Sequence, residues 1–149
     1  HLGNGCPLQM HRHDNITERF LAIPQLLASV IPDGIHIPPI VLSSYTRLLG
    51  PARLIMTTDA VSPAAAPYGT YNIGFRQVNV GEDRVVRFPG TDHFAGSSLT
   101  MIEGFYNAIR FGGVDAATAW LAWTRLRDLM FPGVEVPSIA VPFPRPARQ

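Results

Sequence analysis

A short apolar run that ends in an aspartate constrains the fold of this chain more than any other feature. Residues 54–58 are apolar or β-branched, Asp59 follows them, and the irregular segment 61–67 begins almost at once. The pattern predicts a buried strand, placed at residues 53–58, that carries one carboxylate at its C-terminal end. A buried carboxylate is unfavourable unless it is hydrogen-bonded or binds a metal or a proton. In β/α barrels the C-terminal ends of strands hold the catalytic groups, so Asp59 is either a catalytic carboxylate or a residue that caps the next turn.

The composition of the chain narrows its class. A content of 46% hydrophobic and 15% charged residues excludes a disordered chain. This composition favours a well-buried α/β domain. A net charge of +1 without a Lys/Arg cluster gives no reason to expect nucleic acid as a partner. The apolar runs are too short and too interrupted by proline to span a membrane. The single cysteine, Cys6, excludes a disulfide framework and mildly favours a cytoplasmic location.

Helix and strand signals alternate in the first half of the chain. A capping-box-like start at residues 15–18 predicts a helix that Pro24 kinks or ends. Residues 26–31 predict a buried strand, and residues 39–49 predict a helix that ends at Gly50. Because strands alternate with helices, we expect βα units and a parallel sheet.

The second half of the chain has a different pattern. Residues 70–73, 76–80 and 84–88 predict short antiparallel strands, with a hairpin turn at residues 81–83. A helix is then predicted over residues 98–111, with a stripe of apolar side chains along one face and Gly112-Gly113 as its stop; the stripe is Leu99, Ile102, Tyr106 and Ile109. Asp115 caps a last helix that reaches Met130, and the proline-rich residues 131–149 predict an extended tail.

The beginning of the chain is also informative. The sequence starts with His1 rather than Met, and it does so inside a segment rich in chemically active side chains. We therefore expect this chain to be a fragment of a longer protein, for which a signal peptide cannot be assessed.

Four segments, taken in order, resemble one enzyme family. They are His1-Leu2-Gly3-Asn4-Gly5-Cys6-Pro7 with Arg12, Asp33-Gly34-Ile35-His36, Thr57-Thr58-Asp59-Ala60, and Phe94-Ala95-Gly96-Ser97-Ser98-Leu99-Thr100-Met101. Together they resemble the N-acetylglucosamine-6-phosphate deacetylases of the amidohydrolase superfamily over roughly residues 1–113. The resemblance implies an α/β fold, the C-terminal part of a metal-dependent (β/α)8 (TIM) barrel with a small antiparallel excursion. Residues 1–130 would contain barrel strands six to eight and the following helices, and residues 131–149 would form the tail. Beyond Val114 the chain departs from the family pattern.

The resemblance also implies roles for individual residues. Asp59 would be the general base and His1 a metal ligand. Without the resemblance, His1 is only a terminal residue that has no partner histidine at a spacing suited to metal binding. The implied substrate-binding residues are Asn4, Gly5, Arg12, His36, Phe94, Ala95 and Gly96. Glycine lets a backbone N–H approach an anion, and arginine offers two parallel donors to a phosphate. Without the family, Arg12 would be a solvated side chain and His36 a structural histidine; Ser97-Ser98 can serve equally as the N-cap of the next helix.

The implied reaction is hydrolysis of the N-acetyl amide of N-acetylglucosamine 6-phosphate to glucosamine 6-phosphate and acetate. The implied cofactor is a divalent metal, with zinc expected, and its remaining ligands would come from residues upstream of His1. The full-length parent is expected to be a cytoplasmic homo-oligomer, a dimer or tetramer, that binds a phosphorylated amino sugar. The alternatives are another amidohydrolase that acts on a different N-acyl or cyclic amide, and a non-catalytic fragment. We expect this chain alone to be inactive, because an open barrel exposes sheet edges and core.

Overall fold

The computed structural model describes residues 1–7 and 9–133. The elements follow one another as α1 (Ile16–Ala22), β1 (Ala28–Val30), α2 (Pro39–Arg53), β2 (Leu54–Met56), β3 (Gly69–Ile73), β4 (Arg76–Val80), β5 (Val85–Arg87), β6 (Phe94–Ser97), α3 (Met101–Arg110) and α4 (Ala116–Met130). Within these residues no helix is both long and apolar enough to cross a membrane. Of the predicted tail, residues 134–149 lie outside the described part of the chain.

The first half of the chain forms a parallel βαβ unit. Strand β1 pairs with β2 in parallel, with Ala28 opposite Leu54, and helix α2 connects them. The backbone N–H of Leu2 donates to Ser29 O at 2.8 Å, whereas Thr57 N–H donates to Val30 O. Because consecutive carbonyl groups of a strand point to opposite sides, the His1–Leu2 segment flanks β1 on the edge away from β2. Residues 1 and 2 therefore lie along the edge of β1 that β2 leaves free.

The predicted α/β class with an antiparallel excursion is confirmed. The excursion is a four-stranded sheet in the order β3-β4-β5-β6, and the three predicted strands match β3, β4 and β5 to within one residue at each end. The parallel sheet of the described residues has two strands and forms no closed barrel.

Strand β6 was not predicted, and it links the two sheets. Its last residue, Ser97, forms a parallel bridge with Ala60, just beyond β2. The segment has only four residues, and three of them have small side chains, so it shows no strand pattern. Its extended form therefore depends on this pairing with a distant part of the chain.

Helices α2 and α3 differ from prediction in instructive ways. Helix α2 reaches Arg53, but Gly50 is non-helical (φ 61°, ψ 177°), so the first helical stretch stops at the predicted residue. Helix α3 is capped by the Thr100 side chain, not by Ser97 or Ser98. The stripe predicted for this helix is wrong at two of its four positions: Ile102 is 60% and Tyr106 52% exposed, whereas Leu99 is buried and Ile109 packs on the core.

The face of α3 that is buried was selected by its neighbour. The buried residues of α3 are Gly104, Phe105 and Ala108. A Cβ at Gly104 would lie 2.5 Å from Trp123 Cζ2, so the indole of α4 packs directly on the glycine backbone. This contact turns the face with Gly104 and Phe105 inward and leaves Ile102 and Tyr106 outside.

Two apolar cores hold the structure together. The larger one packs α2, α3 and α4 around the parallel strands, and its buried members are Ala28, Val30, Ile37, Leu42, Leu49, Leu54, Met56, Phe105, Ala108, Ala119, Ala122 and Trp123. The smaller one lies on the antiparallel sheet and is built on Val78, Val80 and Val86. The cleft described next lies where the two sheets meet.

Candidate active site

Asp59 follows β2 in a backbone conformation that is rare for residues other than glycine. Its φ is 49°, in the left-handed region. Its carbonyl accepts a hydrogen bond from the backbone N–H of Ser97 at 2.8 Å, and the Ser97 hydroxyl donates to the carbonyl of Thr58. A left-handed aspartate persists only when neighbouring contacts hold it, and such residues cluster at functional sites. The Asp59 side chain is 44% exposed, so its carboxylate is open to solvent water rather than buried.

His1 lies beside this carboxylate. His1 Nε2 is 3.4 Å from Asp59 Oδ2, and the Asn4 side-chain nitrogen is 3.3 Å from the same ring nitrogen. The His1 side chain is only 20% exposed. Three residues singled out from the sequence thus meet at one ring nitrogen.

His36 completes the group from the loop after β1. Its ring is 6.2 Å from that of His1 and 4.9 Å from that of Phe94, both in edge-to-face arrangement. Its Nδ1 is 2.5 Å from Asp33 Oδ2, and both side chains are nearly inaccessible, at 2% and 6% exposure. Neither the Asp33 contact nor the burial of this ring was predicted from the sequence.

The Phe94–Gly96 segment lines the same cleft, but not with all three residues. Gly96 has φ 88°, and a Cβ built on it would lie 3.0 Å from Asp59 O. Only glycine lets the two backbones approach this closely. Phe94 contacts His36, whereas Ala95 packs on the core of the antiparallel sheet. The alternation of side chains along a strand explains why Ala95 faces away from the cleft.

Gly5 and Arg12 are placed differently relative to this cluster. Gly5 lines a cavity of about 340 Å³ that also contains His1, Cys6 and Phe20. Arg12 is exposed, and no ion pair joins it to another residue of the described ranges. The structure therefore groups His1, Asn4, His36, Asp59, Phe94 and Gly96, and leaves Arg12 outside the group.

A second anchor fixes the segment that follows Gly96. The Ser98 hydroxyl donates to Arg84 O at 2.6 Å, and the Arg84 guanidinium donates to Ser98 O at 3.1 Å and contacts Glu103 at 3.4 Å. Hydrogen bonds from the side chain and backbone of Thr100 lower the pKa of Glu103, and Arg84 lowers it further. Arg84, directly before β5, therefore holds both the residue after β6 and the start of α3.

The donor groups of the cleft do not form a metal site on their own. Among residues 1–7 and 9–133 no three His, Cys, Asp or Glu side chains are arranged to hold a metal ion. His1 and Asp59 provide one imidazole and one carboxylate, whereas Nδ1 of His36 is already engaged by Asp33. Protein zinc sites use three or four protein ligands, so the described residues do not fit a complete one.

Comparison with known proteins agrees with the resemblance seen in the sequence. No family model matches the chain. Curated relatives named N-acetylglucosamine-6-phosphate deacetylase are 31% identical over 121 residues in Vibrio furnissii and 31% identical over 104 residues in Bacillus subtilis. These matches cover 81% and 70% of this chain. The chain is similar to N-acetylglucosamine-6-phosphate deacetylases. The predicted resemblance is therefore confirmed.

Solved deacetylase structures share the fold of this chain. The enzyme from Thermotoga maritima superposes with a TM-score of 0.77 at 23% identity, over 87% of this chain and 35% of that enzyme. A mutant enzyme from Mycobacterium smegmatis, in complex with N-acetyl-D-glucosamine-6-phosphate, gives a TM-score of 0.65 at 27% identity, over 76% of this chain and 30% of that enzyme. The chain spans about 30% of the length of the Vibrio furnissii relative and 26% of the Bacillus subtilis one.

The sequence did not single out two residues of the cleft as candidate site residues. Asp33 precedes His36 by three residues. At this spacing a carboxylate can hydrogen-bond both the backbone N–H and the ring of the histidine. Ser97 follows Gly96 and holds the strand end that carries Asp59. The first has a local signal in the sequence, whereas the second depends on contacts across about 40 residues of chain.

Proposed function

We propose that this chain supplies part of the active site of an N-acetylglucosamine-6-phosphate deacetylase. The longer enzyme would hydrolyse the N-acetyl amide of N-acetylglucosamine 6-phosphate to glucosamine 6-phosphate and acetate. The observation that carries the proposal is the cluster of His1, His36, Asp59 and Gly96 at the ends of the parallel strands. The relatives and structures named above all carry this one activity in their names, so a different amide substrate is not favoured.

In this proposal Asp59 is the general base and then the general acid. Its carboxylate takes a proton from the attacking water and returns it to the departing amine, so that acetate and a free amino group result. The exposure of the carboxylate supports this role, since water must reach it. The left-handed backbone and the Ser97 contacts support it as well, because they fix the direction in which the carboxylate points.

The remaining site residues are proposed to bind the substrate. His36 would contact the sugar or the acetyl group, with Phe94 and Gly96 beside it. Asn4, Gly5 and Arg12 would contact the phosphate, which requires the exposed Arg12 to turn toward the cleft. Ala95 contributes its backbone only, because its side chain packs on the smaller core.

The metal and the assembly are further parts of the proposal. We propose that His1 is a ligand of a divalent cation, with zinc as the expected metal. The site would lie in the closed (β/α)8 barrel of the longer enzyme. Such a cation acts as a Lewis acid on a carbonyl oxygen. The proposed full-length enzyme is a cytoplasmic dimer or tetramer.

A chimera tests the proposal directly. The 121-residue matching stretch of the Vibrio furnissii relative is replaced by that of this chain, and folding is checked by circular dichroism. We expect the chimera to release acetate from N-acetylglucosamine 6-phosphate. Asp59→Asn should lower kcat by at least about 100-fold, the contribution typical of a general base. The matched control is Asp92→Asn, at an exposed carboxylate outside the cleft, which should leave kcat unchanged.

Two results would contradict the proposal. One is a folded chimera without turnover, and the other is full activity after Asp59→Asn. If the large exchange does not fold, an exchange limited to residues 54–97 transfers Asp59 and Gly96 with their own contacts and is judged by the same criteria.

The isolated chain provides a second measurement. We expect the purified chain to show no deacetylase activity even with added zinc, because its described residues form no complete metal site. Acetate release above the no-enzyme blank would show that this reasoning is wrong.

A further inference from the structure

We propose that Asp33 is a positioning residue that holds His36 for the substrate. It fixes the imidazole with its Nδ1–H bound in the loop and leaves Nε2 as the free polar atom of the ring. The inference rests on the proposed function of His36 as a substrate contact and extends it to a residue that does not itself touch the substrate.

The Asp33 carboxylate is first fixed by its own loop. Its Oδ1 accepts the backbone N–H groups of Ile35 at 2.9 Å and His36 at 2.8 Å. Gly34, between Asp33 and Ile35, has φ 75°, a conformation that lets the chain turn this tightly. One carboxylate oxygen is therefore fully used to shape the loop, and the other is held in a set direction.

The second oxygen holds the ring of His36. Asp33 Oδ2 is 2.5 Å from His36 Nδ1, and the side chains are 6% and 2% exposed. A carboxylate accepts hydrogen bonds, so this contact favours the tautomer with the proton on Nδ1. The hydrogen bond made by one imidazole nitrogen decides the state and direction of the other.

The other ring nitrogen has no hydrogen-bond partner among the described residues. Nε2 of His36 is buried, and the rings of Phe94 and His1 pack edge-on against the imidazole, at 4.9 and 6.2 Å. A buried polar atom without a partner is unfavourable, and each such atom calls for an explanation. A substrate hydroxyl, amide or carbonyl group that reaches this cleft would provide the missing hydrogen bond.

The backbone turn itself uses only one oxygen of Asp33. The loop requires Oδ1, which binds two backbone N–H groups, whereas the contact of Oδ2 with the ring adds nothing to the backbone turn. The two functions are therefore separable by Asp33→Asn. The amide oxygen can still accept both backbone hydrogen bonds, but the amide nitrogen now donates toward Nδ1 and displaces its proton to Nε2.

The first test reads the ring directly and does not depend on activity. Long-range ¹H–¹⁵N NMR spectra of the full chain report which imidazole nitrogen carries a proton, and His36→Gln assigns the His36 signals by their loss. We expect a proton on Nδ1 of His36 in the wild-type chain and its loss from Nδ1 in Asp33→Asn. A wild-type Nδ1 without a proton would overturn the inference.

The second test is a double-mutant cycle in the active chimera. We expect Asp33→Asn to lower kcat/KM by about 10–100-fold, the usual effect of removing a partner that orients a functional histidine. In the His36→Gln background the same change should have no further effect, because Asp33 acts only through the ring. A purely structural role would give an equal loss in both backgrounds and would lower the melting temperature.

The outcomes separate this inference from the proposed function. A loss with His36→Gln but none with Asp33→Asn would overturn the positioning role alone. Full activity of His36→Gln would instead remove His36 from the proposed substrate site, and the inference with it.

Discussion

Substitution of Gly96 by alanine is the change that most directly tests how the two sheets are joined. The added methyl group would lie 2.7 Å from Val61 Cγ1 and 3.0 Å from Asp59 O. Distances this short require either Val61 or the strand end at Asp59 to move. The substitution therefore perturbs the site through packing, without removing any group proposed to be catalytic.

The expected loss of stability has two parts. Holding an L-residue in a left-handed conformation costs roughly 1–2 kcal/mol, and Gly96 has φ 88°. Forcing a methyl group into a filled space costs about 1–3 kcal/mol more. Together these contributions lower the free energy of unfolding by about 2–5 kcal/mol.

Gly90→Ala is the matched control for the backbone contribution. Gly90 has φ 71°, but a Cβ there meets nothing within 4 Å. Denaturant unfolding of both variants should therefore give a loss of about 1–2 kcal/mol for Gly90→Ala. The additional loss for Gly96→Ala measures the steric part. Equal losses for the two variants would refute the close packing of Gly96 against Asp59.

Two further changes test the contacts that hold the site. Ser97→Ala removes a buried hydroxyl that donates to Thr58 O and accepts from Leu99 N–H, so the free energy of unfolding should fall by about 1–3 kcal/mol in denaturant titrations. The exposed Ser62→Ala should stay within about 0.5 kcal/mol, and a similar small effect at Ser97 would contradict the assignment. The pKa of Glu103 is lowered from its usual value of about 4.5 by its hydrogen bonds to Thr100, so it stabilises the fold above that value and the stabilisation is lost as pH falls through the lower folded pKa. Glu103→Gln should therefore flatten the acid limb of a plot of melting temperature against pH, and an unchanged acid limb would exclude this contribution.

Much of the local structure was predictable because its causes are local. The Asp115 cap of α4, the helix break at Gly50 and the β4–β5 hairpin each depend on a few neighbouring residues. The strand before Asp59 was recognised from its apolar run, although its paired part is shorter than predicted, at Leu54–Met56. Strand ends vary in this way because pairing with a neighbour, and not the sequence of the strand, decides where it stops.

The errors arose where a distant contact decided the result. The inward face of α3 is set by the packing of Trp123 on Gly104, so a periodicity count within α3 wrongly placed Ile102 and Tyr106 inside. Strand β6 is extended because it pairs with β5 and with the chain after β2. Neither contact has a signature within the segment itself.

The sequence by itself determined the α/β class, the strand that ends in Asp59 and the resemblance to deacetylases, because these depend on short-range periodicity and on motifs read in order. The tertiary structure alone decided that His1, His36, Asp59 and Gly96 meet in one cleft, with Ser97 behind Asp59. The physical reason is that these contacts join residues far apart in the chain. They form only when the two sheets and the helices around them have packed together.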